Sequence, residues 1–138
     1  MFQNCTNLNK VNLSNKDMIN LENIEFMFYR CNNLREINLN GVKTDKLKYI
    51  SYFLYGCVNL KNIDISSLNL NNVINMDYMF GFCSNLENIK FPELINNEAK
   101  IFSMEEIFIG CSKMEMIDLS AFNIKNLKFI KGMFCGCE

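Results

Sequence analysis

The sequence "FMFYRCNNLREINLN" at residues 26–40 decides the fold, because its motifs recur along the whole chain. A close copy, "YMFGFCSNLENIKF", stands at 78–91. A catalytic motif usually occurs once, whereas a motif that recurs at a fixed interval indicates a repeat architecture. The shorter copies are, in chain order, "MFQNC" at 1–5, "FLYGC" at 53–57, "IFIGC" at 107–111 and "MFCGC" at 133–137.

Six cysteines define the length of the repeat, because they recur at intervals of 26, 26, 26, 28 and 26 residues. After each of the first five, apolar residues recur three, six and eight residues later. The stretch reads C-x-x-L-x-x-I-x-L, and its last four residues alternate inward and outward as in a short strand. The six are Cys5, Cys31, Cys57, Cys83, Cys111 and Cys137.

The residues before each cysteine follow a different period. Apolar residues before Cys31 are separated by three, three, one and three positions, and the pattern recurs before Cys57 and Cys83. A stripe of this kind predicts about three turns of amphipathic helix. The members in the first of these stretches are Leu21, Ile24, Met27 and Phe28.

A single unit of this kind cannot bury both its strand and its apolar stripe, but stacked units share one continuous core. The sequence therefore predicts an α/β solenoid of about five repeats of 26 residues, with a parallel sheet on one face and short helices on the other. Residues 1–138 are predicted to form one such domain, as a segment of a longer chain.

The motifs L-x-x-I-x-L and F-x-x-C resemble those of the leucine-rich repeats of the BspA type. The version M-F-x-x-C-x-x-L, as in "YMFGFCSNLENI", is most similar to relatives in Mycoplasma lipoproteins and protist surface proteins. The resemblance implies a non-enzymatic recognition or adhesion module, often extracellular. Enrichment in Asn, Ile, Lys, Phe and Met agrees with an A+T-rich genome, as in a protist or a low-GC bacterium.

Composition argues against several other classes. The net charge is −1 and the basic residues are scattered, so nucleic-acid binding is not expected. No run of eighteen apolar residues is present, so direct membrane insertion is not expected. The chain has no His, no glycine-rich phosphate loop and no convergent acid pair, so we expect neither an enzyme nor a cofactor site. Cys135 and Cys137 form C-x-C without a second such pair, so no metal is expected.

The six column cysteines have two interpretations. They could form a disulfide ladder, but a sulfur in the core of each unit pairs with at most one neighbour. Buried free thiols that fill a small apolar slot are the favoured interpretation.

The outward positions of the predicted strands are the first candidate binding site. Side chains two residues apart share one face of a strand, and sheet faces are common docking surfaces of solenoids. A solvated polar face stabilised by side-chain ladders is the alternative. The candidates are Asn12, Glu36, Asn38, Asn62, Asp64, Asn88, Lys90 and Asp118.

An aromatic patch on the predicted helix side is the second candidate. Tyr29, Tyr49, Tyr55 and Phe82 would lie in equivalent or adjacent positions of neighbouring units. Exposed aromatic patches usually contact a partner. The alternative is packing between neighbouring helices, which the column of Phe26, Tyr52 and Tyr78 favours.

Two functions compete on these grounds. One is an ectodomain segment of a surface adhesin that binds a protein partner through the sheet face. The other is a scaffold subunit docked inside a larger intracellular assembly through its aromatic side.

The interval of 28 residues contains the only proline, Pro92, and predicts a bulge in the loop after the fourth strand.

Overall fold

A computed structural model describes residues 1–93 and 100–137. The elements along this part of the chain are short. Four strands, β1 (Lys10–Asn12), β2 (Glu36–Asn38), β3 (Asn62–Asp64) and β4 (Asn88–Lys90), precede one 3₁₀ helix at Ile124–Asn126. The predicted bulge lies largely at 94–99, outside the described residues.

The strands pair in parallel and in the predicted register. Strand β1 pairs with β2 with Val11 opposite Ile37, and β3 pairs with β4 with Ile63 opposite Ile89. Both registers join residues 26 positions apart. The outer residues of all four strands are exposed, while the middle residue is buried in β1–β3 and half-buried in β4. The predicted alternation is therefore confirmed in four units; the fifth, around Ile117, has no strand.

A second parallel ladder runs along another side of the repeat. Single bridges join Asn23 to Tyr49, Tyr49 to Asn75, Asn75 to Ser103 and Ser103 to Phe129. These steps repeat the 26-residue interval, with one step of 28. The described chain is thus a solenoid whose turns, here called rungs, stack in register.

The predicted short helices are wrong, and with them the α/β class. In the stretch before Cys31, the N–H groups of Met27 and Tyr29 donate to carbonyls three residues earlier, at 3.1 and 3.2 Å. The N–H groups of Phe26 and Phe28 instead donate to the next rung, at Ser51 and Phe53. Alternate amides therefore bond within and between rungs, and the stretch is a ladder of turns rather than an α-helix.

Left-handed residues explain why no helix continues here. Phe26 and Arg30 both have φ of 55°, and Tyr78 and Phe82 have 55° and 56°. An α-helix of L-residues is right-handed throughout, so a left-handed residue every fourth position ends each helical turn. The same two positions are left-handed in the second, fourth and fifth rungs, at Tyr52 and Gly56, Glu106 and Gly110, and Gly132 and Gly136.

The apolar stripe itself is buried as predicted, because the turns also repeat at about three residues. Ile24, Met27, Phe28 and Cys31 are all buried, as are their counterparts in the next three rungs. Phenylalanines one rung apart stack in this core, as Phe80 and Phe108 do with ring centroids 5.7 Å apart. One hydrophobic core runs through the rungs.

The cysteine column has a specific role in this core. The thiol of Cys83 donates to the carbonyl of Leu54 at 3.1 Å, and the thiol of Cys111 donates to that of Phe80 at 3.1 Å. Cys31, Cys57 and Cys137 make the same bond to the preceding rung. Five of the six column thiols therefore add a second hydrogen bond to a carbonyl that already accepts a backbone N–H, which is a reason for cysteine to recur here.

An asparagine two residues after the cysteine forms a parallel column. The side-chain amides of Asn33, Asn59 and Asn85 donate to carbonyls of the preceding rung at 2.7–2.8 Å. These bonds tie adjacent rungs at their edge. Genome bias is thus not the whole reason for the asparagine content.

Candidate functional site

The sheet face carries the first set of predicted site residues. All but Asp118 lie on strands, where their side chains are exposed. Several pair across the rungs: Lys10 with Glu36 at 2.7 Å, Lys90 with Asp64 at 3.4 Å, and Asn88 with Asn62 at 2.9 Å. These ladders match the structural alternative considered for this face.

Four of the sheet-face candidates also begin a turn, and three of them are the last residue of a strand. The side-chain oxygens of Asn12, Asn38, Asp64 and Asp118 each accept the backbone N–H two residues later, at 2.8–3.0 Å. This Asx turn leads the chain out of the strand. Hydrogen bonds from Ser120 lower the pKa of Asp118 accordingly. Lys90 breaks the pattern, in the unit that contains the longer interval.

Six rings form a second exposed region, here called the aromatic surface. Phe26, Tyr52 and Tyr78 stack in one column, with centroids 4.8 and 4.7 Å apart and interplanar angles of 9° and 8°. Tyr29 and Tyr55 stack at 5.1 Å in a neighbouring column. Phe82 extends the second column with an edge contact to Tyr55 at 5.3 Å.

The two columns contact each other along their length. Tyr52 lies 6.3 Å from Tyr29 and 5.6 Å from Tyr55, with ring planes inclined by 61° and 52°. Phe82 is 44% exposed and Phe26 38%, while the four tyrosines are half-buried. The stacked ring faces join adjacent rungs, and each of the six side chains keeps part of its surface in solvent.

Glycines shape one end of the aromatic surface. A Cβ on Gly110 would lie 2.9 Å from a ring carbon of Phe82, and a Cβ on Gly81 would lie 2.9 Å from the Tyr55 ring. Gly81 therefore leaves room for the Tyr55 ring, and Gly110 for that of Phe82.

Three of the four predicted patch residues meet in this surface, and one does not. Tyr29, Tyr55 and Phe82 belong to it, whereas no ring contact among the described residues involves Tyr49. Tyr49 lies on the bridge ladder instead. The alternative interpretation was that Phe26, Tyr52 and Tyr78 pack between neighbouring units. These three rings do pack on one another, and they also form part of the aromatic surface. In the sequence, each of them stands five residues before a column cysteine.

Charged groups border the aromatic surface at its two ends. The Arg30 guanidinium lies over the Tyr29 ring at 5.2 Å. At the other end, the Glu106 carboxylate lies beside Tyr78, and burial together with this carboxylate raises the pKa of Tyr78 to about 12. Glu105 and Asp77 lie close enough to raise the pKa of Tyr78 and Tyr52, respectively. Sequence reasoning singled out none of these flanking charges as part of a site.

Three tyrosine hydroxyls on this surface are available as donors. Within the described residues, those of Tyr29, Tyr52 and Tyr55 make no hydrogen bond. Burial raises the pKa of Tyr52 and Tyr55, so these hydroxyls stay protonated well above neutral pH.

The thiols divide into buried and exposed groups. Cys31, Cys57, Cys83 and Cys111 are buried and free, as predicted for the column. Burial is wrong for Cys5, which is exposed, and incomplete for Cys137, which is half-buried; Cys135 is exposed. Burial raises the pKa of Cys57 and of Cys111 to about 12, so both are inert at neutral pH.

Other kinds of site have little support. Among residues 1–93 and 100–137, no group of three or more His, Cys, Asp or Glu side chains could hold a metal ion. A cavity of about 740 Å³ lies at the first rung, lined by residues that include Asp17, Met18, Leu21 and Glu25. In the described part of the chain, no helix is long and apolar enough to cross a membrane.

The comparisons with known proteins identify a family. The family model described as "Mycoplasma protein of unknown function, DUF285" matches residues 1–91 and 87–138. No curated protein and no solved structure matches the chain.

Proposed function

For this chain, which belongs to the DUF285 family of BspA-like repeat proteins, we propose a role as a non-enzymatic protein-binding module that contacts its partner through the aromatic surface. The observation that carries the proposal is a continuous array of six exposed or half-buried rings, three of which carry hydroxyls that bond to no described residue. Tyrosine is enriched at protein interfaces because its ring is apolar and its tip is polar.

The sheet face is the weaker of the two candidates. Its charged and amide side chains already pair with one another, as in Lys10 with Glu36 and Asn62 with Asn88. A partner would have to replace these bonds, although exposed ion pairs contribute little to stability. The aromatic surface offers partly exposed rings, and three of its hydroxyls donate to no described residue, so a partner replaces no such bond there.

Two settings for such a module are proposed. The resemblance to surface-protein repeats favours a segment of an adhesin or recognition protein at the cell surface. The seven free thiols favour the alternative, a scaffold subunit of an intracellular assembly, since reducing compartments keep thiols free. Thiol titration of the denatured native protein separates the two: seven thiols support the intracellular setting, and extensive disulfides contradict it.

Site-specific photo-crosslinking tests the module's binding surface. A photoreactive phenylalanine analogue at Tyr55 samples the aromatic surface, and the same group at Glu36 samples the sheet face. We expect a discrete crosslinked species in the producing cells from position 55 and none from position 36. Crosslinks from position 36 alone would assign binding to the sheet face, and crosslinks from neither would remove the proposal.

A further inference from the structure

We infer that the aromatic surface binds an extended, proline-rich segment in the polyproline II conformation, with a Lys or Arg near one end. This inference rests on the proposed protein-binding function and names its partner by chemistry. Three features of the surface support it: ring spacing, free donors and flanking charge.

The ring spacing matches the repeat of the proposed ligand. Phe26, Tyr52 and Tyr78 are spaced at 4.8 and 4.7 Å along their column. Two such steps are close to one turn of polyproline II helix, which has three residues per turn and rises about 3.1 Å per residue. Prolines three positions apart would therefore meet equivalent rings two rungs apart, as in other aromatic-lined sites for such segments.

The free hydroxyls match the ligand's acceptors. A polyproline II segment makes no internal hydrogen bonds, so its carbonyl oxygens all face outward. Tyr29, Tyr52 and Tyr55 present hydroxyls that no residue in the described chain satisfies. These hydroxyls lie on adjacent rungs and can donate to successive carbonyls, and a segment already extended loses little entropy on binding.

The flanking charges favour a basic end. Asp77, Glu105 and Glu106 lie around Tyr78 and Tyr52, whereas Arg30 is the cation at the opposite end. The Ser103 hydroxyl and the backbone N–H of Glu105 donate to Asp77, while the Glu105 carboxylate accepts no bond from the described residues. A Lys or Arg just beyond the prolines would pair with Glu105, which sets the direction of the segment.

Peptide binding to the intact chain tests the inference. The probe is a synthetic peptide of repeated Pro-Pro-Ala units that ends in two arginines. Its controls are a peptide with Gly and Ser in place of Pro and Ala and the same arginines, and a proline peptide that ends in two glutamates. We expect the probe to bind about 10-fold more tightly than either control in calorimetry, because preorganisation and charge each contribute.

Matched variants separate ring, hydroxyl and charge. Replacing Tyr29, Tyr52 and Tyr55 by Phe keeps every ring, and Phe26 and Phe82 already occupy the two columns, so we expect the variant to fold. We expect about 10-fold weaker binding of the probe, because hydrogen-bond donors are lost. Tyr49→Phe, which lies outside the aromatic surface, leaves binding unchanged. If the triple variant fails to fold, Tyr55→Phe alone serves with a smaller expected loss.

The Glu105→Gln variant tests the charge. We expect weaker binding of the arginine peptide, tighter binding of the glutamate peptide, and loss of the difference in high salt. Equal binding of the proline and Gly-Ser peptides, or wild-type binding by the Phe variants, overturns the inference. A dimer of the free chain that the Phe variants dissociate also overturns it, since a second copy then occupies the surface. Crosslinks from position 55 without peptide binding would leave the proposed function standing while this inference falls.

Discussion

The third and fifth rungs contain nearly the same motif, "MFGFC" and "MFCGC", in different surroundings. Phe80 of the third rung is fully buried between neighbouring rungs, whereas Phe134 of the fifth is 48% exposed. Phe134 stacks on Phe108 at 5.6 Å and has a described rung on one side only. The repeat motif places an apolar side chain at this position, and the side chain is buried only where rungs pack on both sides of it.

Truncating the same column in the two rungs should give the largest difference. We expect Phe80→Ala to lower the free energy of unfolding by about 3–5 kcal/mol, because it leaves a cavity in the core. In the 138-residue chain, Phe134→Ala should cost about 1 kcal/mol, because about half of that side chain is exposed there. Urea denaturation of both variants measures this. Equal losses would show that burial does not follow from stacking.

Alkaline pH should act through the interior thiols. The pKa of Cys57 and of Cys111 is about 12 when folded, against an ordinary value of 9.0. Above pH 9 the unfolded chain releases these protons first, so the free energy of unfolding falls as the pH rises toward 12. By pH 10 the loss is about 1.4 kcal/mol for each thiol.

Denaturation between pH 7 and 10.5 measures that slope. The double variant Cys57→Ala, Cys111→Ala is the control, and we expect it to show a shallower fall than the wild type. Identical slopes would mean that ionisation of these thiols is not coupled to folding.

The two kinds of tyrosine extend the comparison to the surface. Tyr55 stacks on Tyr29 and contacts Tyr52 and Phe82, so we expect Tyr55→Ser to cost about 1–2 kcal/mol. Tyr49 makes no ring contact in the described chain, and we expect Tyr49→Ser to cost less than about 0.5 kcal/mol. Thermal unfolding of both variants distinguishes them, and the reverse order would remove the stacking role.

The smallest difference should come from the thiol hydrogen bonds. Cys83→Ala leaves the Leu54 carbonyl with one bond fewer inside the core, at a cost of about 1–2 kcal/mol. Cys137 makes the same bond to Phe108 but is only half-buried, so Cys137→Ala should cost less. Denaturation with Cys→Val as a second replacement separates the lost bond from lost volume.

The sequence predicted the parts that depend on burial and missed the part that depends on backbone hydrogen bonding. Val11 and Ile63 alternate with exposed neighbours as a strand should, and the stripe of Ile24, Met27 and Phe28 is buried. A ladder of turns buries side chains at nearly the same spacing as a helix, so periodicity alone does not separate the two. The signal that could have separated them is the glycine before the cysteine, as at Gly56, which marks a left-handed position.

The candidate site was predictable in the same uneven way. The residue types of the aromatic surface stand out in the sequence, but their partners depend on the turn geometry. A helical wheel places Tyr49 with Tyr52, whereas the turns place Tyr52 beside Tyr29 and Tyr55. The role of Asn38 at the end of its strand likewise depends on a local bond to the Asn40 amide.

Nuclear Overhauser contacts in solution test the central claim most directly, which is that the rungs stack in register through alternate backbone bonds. The account predicts contacts between residues about one repeat apart, such as Asn23 with Tyr49 and Tyr49 with Asn75, together with protected amides at Phe26 and Phe28. Continuous helical contacts along residues 21–31, with no contacts between rungs, would contradict it.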